Sequence, residues 1–417
     1  MWRQSGVGWA VAGLLVAGVA SNVTWKVSID QFGERGAFVQ LQASNLLYAV
    51  CAWVAAALCS GELHVRARWP LRVDGVCRLA LITSVLDGAA GWIWTVAGSR
   101  TPGDWQAALQ QLTLPMTLLV EPCLFARRRL VLSQASGRNL CVSACGAALV
   151  MAGVGTAVIG GGTGGAPLQT ASLVALSVAA LLTSASMLLK QHFLQTRSAQ
   201  IDAEETVLAA ERAATNLRRR AHAHVREQTM TPVVKPQPHR FVVQIFNAWN
   251  ALFVCAVTLA LWPLQPSFAA VFGPDGEQST LTGSVLAGLD CIGGVPAASC
   301  ASAWLWLCLA TLASFASSTL SLVVVQGRSA AYQWAVSAAL MPLSALAFTI
   351  PVLPAAAQQA FTVAVALGGV LIVIGIVAYE AGEQQLLARE AHEDAASAAL
   401  AAISLGAESQ HNVSPER

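Results

Sequence analysis

A carboxylate inside an apolar stretch is the residue of this sequence with the clearest chemical role. Asp87 lies near the middle of residues 77–98, where the other charged residue, Arg78, is at the edge. On insertion scales, a charged Asp at the centre of a membrane helix costs about 2.5–3.5 kcal/mol. That cost predicts that Asp87 faces an aqueous cavity, where it binds a cation or carries a proton. The alternative is a structural hydrogen-bond hub between helices, and the sequence leaves both open.

Uncharged amide side chains in other apolar stretches are further candidates for lining such a cavity. They are Gln106, Gln110, Asn250 and Gln333. Amides in membrane helices also hydrogen-bond to neighbouring helices, so each of the four has this second interpretation. We predict that Asp87 and these four residues bind a small-molecule solute or protons.

Two prolines and one acidic residue are candidates for moving parts. Pro115 and Pro342 lie inside apolar stretches, where each removes a backbone hydrogen bond and kinks its helix. The kinks serve either as hinges or as static packing features. Glu121 lies shortly before the basic run 127–129, near a predicted helix end. We interpret it as a gate, or as a side chain that snorkels to the membrane interface.

The sequence lacks the patterns that carry catalysis or bind metals. It contains no HExxH, nucleophile-elbow or phosphate-loop motif, and no CxxC pair. His192, His222 and His224 lie in a polar segment, and we interpret them as solvated side chains. We therefore predict that the protein is not an enzyme and needs neither a metal nor a cofactor.

Composition places these residues in a membrane. Of the 417 residues, 55% are hydrophobic and 11% are charged, whereas soluble domains average about 25% charged residues. The mean hydropathy of +0.58 agrees, because lipid solvates apolar faces directly. The lipid bilayer is thus a predicted partner, and the net charge of +2 argues against nucleic acid.

Crossing a bilayer takes about 20 apolar residues, and stretches of this length predict ten transmembrane helices. They are residues 6–27, 38–59, 77–98, 105–126, 139–161, 169–190, 241–262, 303–325, 330–350 and 357–379. With the amino terminus in the cytosol, only Lys26, Arg35 and Arg100 among the 24 basic residues fall on the opposite side. Because cytosolic loops are enriched in Lys and Arg, both termini are predicted to be cytosolic.

Three segments are predicted to lie outside the membrane. Residues 191–240 form a cytosolic insertion rich in Ala, Glu, Arg and Leu, a composition that favours a helix. Prolines near the end of the insertion are predicted to terminate that helix. Residues 380–417 form a polar cytosolic tail. The long loop 263–302 lies on the opposite, lumenal side.

An internal repeat relates the two halves of the chain. Residues 105–117 begin with Trp-Gln, and residues 332–344 begin with Tyr-Gln. In both stretches a Pro follows the Gln at the same distance, and a small hydroxyl residue follows the Pro at the same distance. We therefore predict an all-α membrane protein of about ten transmembrane helices, built as two five-helix repeats. The first repeat is 6–161, and the second comprises 169–190 and 241–379. A repeat with an odd number of helices must be inverted in the membrane, which is typical of transporters.

Several short motifs occur in a fixed order within residues 20–380. They are Leu86-Asp87-Gly88-Ala89-Ala90-Gly91, Ser99-Arg100-Thr101, Gln110-Gln111-Leu112-Thr113-Leu114-Pro115, Met187-Leu188-Leu189-Lys190, Phe246-Asn247-Ala248-Trp249-Asn250 and the helix around Pro342. In this order they resemble the chloroquine-resistance-transporter-like family of the drug/metabolite transporter superfamily. The resemblance implies a ten-helix inverted-repeat fold. It also implies proton-coupled movement of small cationic or zwitterionic solutes (amino acids, peptides, thiols or weak-base drugs) across a vacuolar or endolysosomal membrane.

The resemblance also bears on a lysine and on two cysteines. Where the family usually has Lys-Glu at the end of the sixth helix, this chain has Lys190-Gln191. We interpret Lys190 as part of a gate at the cytosolic mouth. Related transporters carry cysteines in the loop that corresponds to 263–302. In an oxidising lumen, the short spacing of Cys291 and Cys300 would allow a disulfide. We therefore predict a disulfide between these two cysteines.

Two other functions remain open. A nucleotide-sugar or sugar-phosphate antiporter of the same superfamily would need Lys or Arg inside the late helices, and 303–325, 330–350 and 357–379 contain none. A membrane receptor without transport is the alternative from another class. Ligand-dependent signalling without solute flux would distinguish it.

Overall fold

The structure of the chain, a computed structural model, describes residues 2–62, 74–98, 110–125, 137–161, 170–222, 238–264, 281–293, 300, 302–351, 362–382, 384–385 and 388. All regular secondary structure in these ranges is helical, and no strand occurs in them. Seven helical stretches are long and apolar enough to cross a membrane: Val7–Ile29, Phe38–Cys59, Val76–Thr95, Val174–Arg197, Val242–Leu264, Ala303–Gly327 and Val363–Gly382. The chain is therefore an all-α, multi-pass membrane protein.

Eleven described α-helices make up the bundle, with one 3-10 turn at Trp262–Leu264. They are α1 (Trp2–Glu62), α2 (Asp74–Gly98), α3 (Thr113–Leu124), α4 (Gly137–Gly161), α5 (Thr170–His222), α6 (Pro238–Leu261), α7 (Leu281–Ile292), α8 (Ala303–Gly327), α9 (Ala330–Ala338), α10 (Leu340–Ala347) and α11 (Val363–Gly382). Their outer faces carry exposed apolar side chains, among them Val54, Leu309 and Val370. Such a surface is solvated by lipid rather than by water.

Helix α1 contains two of the membrane-crossing stretches, which we call its first arm (Val7–Ile29) and its second arm (Phe38–Cys59). Gln40 Nε2 donates a 3.0 Å hydrogen bond to Ser28 Oγ. In a straight helix these residues would be about 18 Å apart along the axis. The chain therefore reverses direction between the arms, and α1 is a helical hairpin.

The seven crossing stretches coincide with seven predicted spans: the first three, the sixth to eighth and the tenth. Helices α3 and α4 occupy the fourth and fifth, although residues 105–109 and 126 of the fourth lie outside the described residues. The ninth predicted span, 330–350, is not one helix but is divided into α9 and α10 at Ala339. Pro342 has no N–H for the carbonyl of Ala338, one turn earlier, and this accounts for the division.

Helix α5 extends well beyond the predicted end of the sixth span at residue 190. Its apolar stretch continues to Arg197, and its helix continues to His222. The first part of the insertion 191–240 therefore prolongs the membrane helix, as expected for a segment rich in strong helix formers. Lys190 consequently lies inside a crossing stretch, which corrects its predicted position at the end of the helix.

Contacts between distant helices define the core. Helix α8 packs along α1, while α2 packs on both α5 and α6. The largest buried apolar cluster includes Leu14, Leu114, Val150, Trp334 and Ile372, from α1, α3, α4, α9 and α11 respectively. These contacts bring helices from both halves of the chain around a common centre.

Helices α4 and α11 approach each other through glycines. A Cβ atom on Gly153 would lie 2.6 Å from the carbonyl oxygen of Gly368, and one on Gly375 would lie 2.7 Å from the carbonyl oxygen of Gly146. Small residues allow helix backbones to come into direct contact in membranes. A Cβ on Gly155, in the same helix as Gly153, would meet no atom within 4 Å.

We expect the substitution Gly153→Ala to lower the thermal stability of the purified protein. Its methyl group would force α4 and α11 apart, and overpacking of this kind costs about 1–3 kcal/mol. Gly155→Ala is the matched control, because it places the same methyl group in open space and gains up to about 1 kcal/mol of helix propensity. Thermal unfolding in lipid nanodiscs measures both variants. Equal stabilities would contradict the close approach of the two helices.

Candidate functional site

An ion pair joins α2 to α5 inside the bundle. Lys190 Nζ lies 2.5 Å from Asp87 Oδ2, and the two side chains are only 10% and 19% exposed. Each residue is held by a long apolar helix that packs directly on the other. A charge in such surroundings is strongly unfavourable alone, so each residue provides the counter-charge that the other requires.

Asn250 on α6 connects to the same carboxylate. Its Nδ2 donates to Asp87 Oδ2 at 3.1 Å. Its Oδ1 accepts hydrogen bonds from Thr83 Oγ1 at 2.9 Å and from Ser84 Oγ at 3.0 Å. Thr83, Ser84 and Asp87 share one face of α2, because residues three and four apart lie above one another in a helix. This polar face of α2 is thus joined to α6 through one amide side chain.

These residues lie in the wall of a cavity of about 450 Å³. Its lining comes from α1, α2, α5, α6, α8, α9 and α10 and from the turn before α3. The volume is within the range of roughly 300–1,000 Å³ that is usual for small-molecule sites. Among the described lining residues, Asp87 and Lys190 alone carry a charge. The described lining therefore mixes polar and apolar side chains and carries no net charge.

A stripe of hydroxyl side chains on α8 forms another wall of the cavity. Ser314, Ser317, Ser318 and Ser321 recur at three- and four-residue spacing, so they share one helix face. Ser314 Oγ lies 2.7 Å from Ser21 Oγ on the first arm of α1. The sequence prediction does not include this stripe, although its spacing is visible there. Small hydroxyl residues at such spacing are equally typical of helix packing.

Four of the five predicted binding residues line this one cavity: Asp87, Gln110, Asn250 and Gln333. The fifth, Gln106, lies outside the described residues. Gln333 is 3% exposed, and its Nε2 donates to Ser337 Oγ at 2.8 Å. Its Oε1 is buried without a partner in the described part of the chain. An unpaired buried acceptor is unfavourable, so Gln333 Oε1 is a polar atom at the cavity wall whose hydrogen-bonding capacity is unused in this arrangement.

Of the predicted gate and hinge residues, Lys190 alone belongs to the described lining of the cavity. Lys190 lies in the cavity wall, where its ammonium contacts Asp87, and its role in a gate stays a prediction. Pro115, Glu121 and Pro342 lie outside the described lining, and Glu121 is buried with 6% exposure. A direct contact of these three residues with a solute in the cavity is therefore not part of this arrangement.

Both prolines follow interruptions of their helices at matching positions. A turn at Gln111 and Leu112 precedes α3, and a turn at Ala339 separates α9 from α10. After Pro115, the N–H of Met116 donates to the carbonyl of Leu112 at 3.0 Å. After Pro342, the N–H of Leu343 donates to the carbonyl of Ala339 at 3.4 Å. The two prolines therefore occupy the same local structure.

Beyond Lys190, hydrogen bonds tie α5 to the turn between α8 and α9. Ala330 N–H donates to Gln191 Oε1 at 2.8 Å. Gln195 Nε2 donates to the carbonyl of Arg328 at 2.7 Å. We call Gln191, Gln195, Arg328 and Ala330 the latch. It holds the second half of the chain together at one end of the cavity.

The other end of the cavity is open. Asn22 and Gln110 line the cavity and are exposed, whereas Lys190 and Gln333 are buried. The cavity is thus accessible near the end of the first arm of α1 and closed toward the latch.

A disulfide joins Cys291 to Cys300, the predicted pair. Cys291 lies near the end of α7 and packs with Phe32, Ala303 and Leu307. The bridge therefore fastens α7 to the start of α8, beside the reversal in α1. The described residues contain no group of three or more His, Cys, Asp or Glu side chains that could hold a metal ion.

Comparison with known proteins gives structural likenesses but no family. No protein-family model matches the chain, and no curated protein matches it. Among solved structures, one described only as "Crystal structure of protein" is similar over 92% of this chain and 99% of that chain, with 15% identity and a TM-score of 0.48. A likeness at this level assigns neither a fold family nor a function.

We expect Asn250→Leu to destabilise the protein by about 1–3 kcal/mol, because it removes the side-chain hydrogen bonds that join Asp87, Thr83 and Ser84 on α2 to α6, one of them to a largely buried carboxylate. Asn22→Leu is the matched control, since exposed Asn22 makes one described side-chain hydrogen bond, to Ser344 Oγ. Thermal unfolding of both variants in nanodiscs is the measurement. A smaller loss for Asn250→Leu than for Asn22→Leu would contradict the role of Asn250 as the connection between α2 and α6.

Proposed function

We propose that this chain is a secondary transporter that moves small cationic or zwitterionic solutes by alternating access. The observation that carries the proposal is the cavity of about 450 Å³, with the Asp87–Lys190 pair in its wall, inside a bundle of membrane-crossing helices. Charged side chains within a membrane bundle most often mark a path for ions or solutes. The candidate solutes are amino acids, peptides, thiols and weak-base drugs.

We further propose that the bundle consists of two inverted five-helix repeats. The cavity is lined from both halves of the chain. The packing of α2 on α5 has a counterpart in the packing of α8 on α1, each pairing the third helix of one repeat with the first of the other. The matching turns before Pro115 and Pro342 agree with the same symmetry. Transporters built in this way place their binding site between the repeats.

Alternating access requires that the cavity open to one side at a time. The described arrangement, open near Asn22 and Gln110 and tied at the latch, fits one such state. We propose that the turns before Pro115 and Pro342 act as hinges when the latch parts. A proline leaves its helix without one backbone bond, which lowers the cost of bending there.

The charges of the cavity favour this solute class over phosphorylated sugars. A nucleotide sugar or sugar phosphate carries negative charge and needs an excess of positive side chains. The described lining offers Lys190, but Asp87 neutralises it at 2.5 Å. In our proposal Asp87 instead binds either the amine of a solute or a proton. Proton binding at this carboxylate couples transport to a proton gradient. A receptor would not require an open path, so solute flux distinguishes the two functions.

We place the protein in a vacuolar or endolysosomal membrane, with both termini in the cytosol. The asymmetry of Lys and Arg supports this orientation. The disulfide between Cys291 and Cys300 then lies in an oxidising lumen, where such bonds persist.

Uptake into proteoliposomes with an imposed pH gradient tests the transport function. The solutes are labelled amino acids, dipeptides, glutathione and an amphipathic weak base. We expect uptake that follows the gradient and falls by about tenfold or more in Asp87→Asn, which removes an ionic contact worth more than about 1.4 kcal/mol. Asp290→Asn is the matched control, because Asp290 is exposed at the end of α7 and outside the cavity lining.

Other outcomes have distinct meanings. Gradient-driven uptake that Asp87→Asn leaves unchanged would keep the carrier and make Asp87 a structural hub. Absence of all these fluxes, together with exchange of nucleotide sugars, would assign the protein to the antiporter alternative. Ligand-dependent signalling without any flux would favour a receptor.

A further inference from the structure

Lys190 carries the same chemical group as many small nitrogenous solutes, a primary ammonium, and it already occupies Asp87. Its Nζ is 2.5 Å from Asp87 Oδ2, a distance that leaves no room for a second cation between them. Asn250 Nδ2 approaches the same oxygen at 3.1 Å and fixes its position. Both described contacts of Asp87 are to Oδ2, and Asp87 carries a single negative charge. An incoming ammonium therefore either displaces Lys190 from Asp87 or shares that charge with Lys190, which leaves an excess positive charge in the cavity.

Displacement has different consequences for solutes of different charge. A solute with an ammonium but no carboxylate would take Asp87 and leave Lys190 without a counter-charge, in a side-chain position that is 10% exposed. No other carboxylate belongs to the described lining. A solute with a carboxylate alone would strand Asp87 in the same way. Uncompensated charges in a largely buried site are strongly unfavourable.

A zwitterion avoids both penalties. Its ammonium replaces Lys190 at Asp87, while its carboxylate takes the released ammonium of Lys190. Two ion pairs replace one, and the net charge of the occupied cavity remains zero. The hydroxyl stripe on α8 and the unpaired Gln333 Oε1 leave the rest of such a solute in a polar but uncharged environment.

We infer that Lys190 is a tethered counter-cation that makes the site selective for zwitterions carrying a primary ammonium and a carboxylate on a small scaffold. In the empty protein Lys190 substitutes for the solute amine at Asp87. In the occupied protein it binds the solute carboxylate. The inference rests on the proposed transport function and narrows its solute class, since amines without a carboxylate are then poor ligands.

Three matched series of ligands test the inference by calorimetric titration of the full chain in nanodiscs. Each series keeps one side chain and changes only the charged groups. They are alanine, ethylamine and propionate; leucine, isopentylamine and 4-methylpentanoate; and phenylalanine, phenethylamine and 3-phenylpropionate. We expect the wild type to bind the zwitterion of at least one series about tenfold more tightly than its amine or its acid, as expected for an unmatched charge.

Variants at position 190 identify the cause of the preference. In Lys190→Gln the ratio of zwitterion to amine affinity should fall to about one, mainly through tighter binding of the amine at the freed carboxylate. Lys190→Arg should keep the preference, since it retains the positive charge. Lys26→Gln, which removes a lysine from outside the cavity lining, should leave the ratio unchanged. The double variant Asp87→Asn/Lys190→Gln keeps a neutral pair if Lys190→Gln alone fails to fold, and it should lose the preference as well.

The results separate this inference from the transport function. Equal affinities for zwitterion and amine in the wild type, or a preference that survives Lys190→Gln or the double variant, would overturn the role of Lys190. The same holds if the wild type binds no zwitterion of any series. Uptake of the labelled panel, measured in parallel, tests transport itself. Zwitterion binding that depends on Lys190 but occurs without uptake would support the site and overturn the carrier.

Discussion

Two opposite charges held 2.5 Å apart within an apolar bundle form the interaction on which the rest of this structure depends. Neither Asp87 nor Lys190 is tolerable alone in a medium of low dielectric constant. Helices α2 and α5 must therefore pack with one particular rotation and depth, the one that brings the two side chains together. Asn250 extends this requirement to α6, and the hydroxyls of Thr83 and Ser84 satisfy its remaining acceptor. The polar faces of several helices are thus turned toward one centre, and the apolar faces are left for lipid.

The same interaction connects the two halves of the chain. Asp87 belongs to the first half and Lys190 to the second, so a motion that separates the halves must break the pair or exchange one partner for a solute. The latch, by contrast, joins α5 to the turn between α8 and α9, entirely within the second half. The ion pair is therefore a charged connection between the two halves, whereas the latch is an uncharged connection within the second half. In the proposed transport cycle, only the ion pair responds to the charge of the bound solute.

The sequence predicts much of this arrangement where a property along the chain decides it. Seven crossing helices follow from apolar length, and the cavity position of Asp87 follows from the cost of burying a lone carboxylate. The sequence does not predict that Lys190 is the partner of Asp87, because Lys190 is distant in sequence and resembles a residue at the end of a membrane helix. Its position in the cavity wall depends on the continuation of α5 beyond it and on the packing of α2 against α5. Both are properties of the tertiary structure. The division of 330–350 is a middle case, since Pro342 indicates a kink while its location at Ala339 depends on packing.

The unbroken course of α5 has a mechanical consequence. From Lys190 to His222 the helix advances about 48 Å, at 1.5 Å per residue. A rigid rod of that length, tilted by about ten degrees at the level of the ion pair, would displace its far tip by roughly 8 Å. A small change in helix tilt at the level of the buried charges would thus become a displacement approaching a helix diameter at His222. The polar extension of α5 would then act as a lever that pivots beside Asp87.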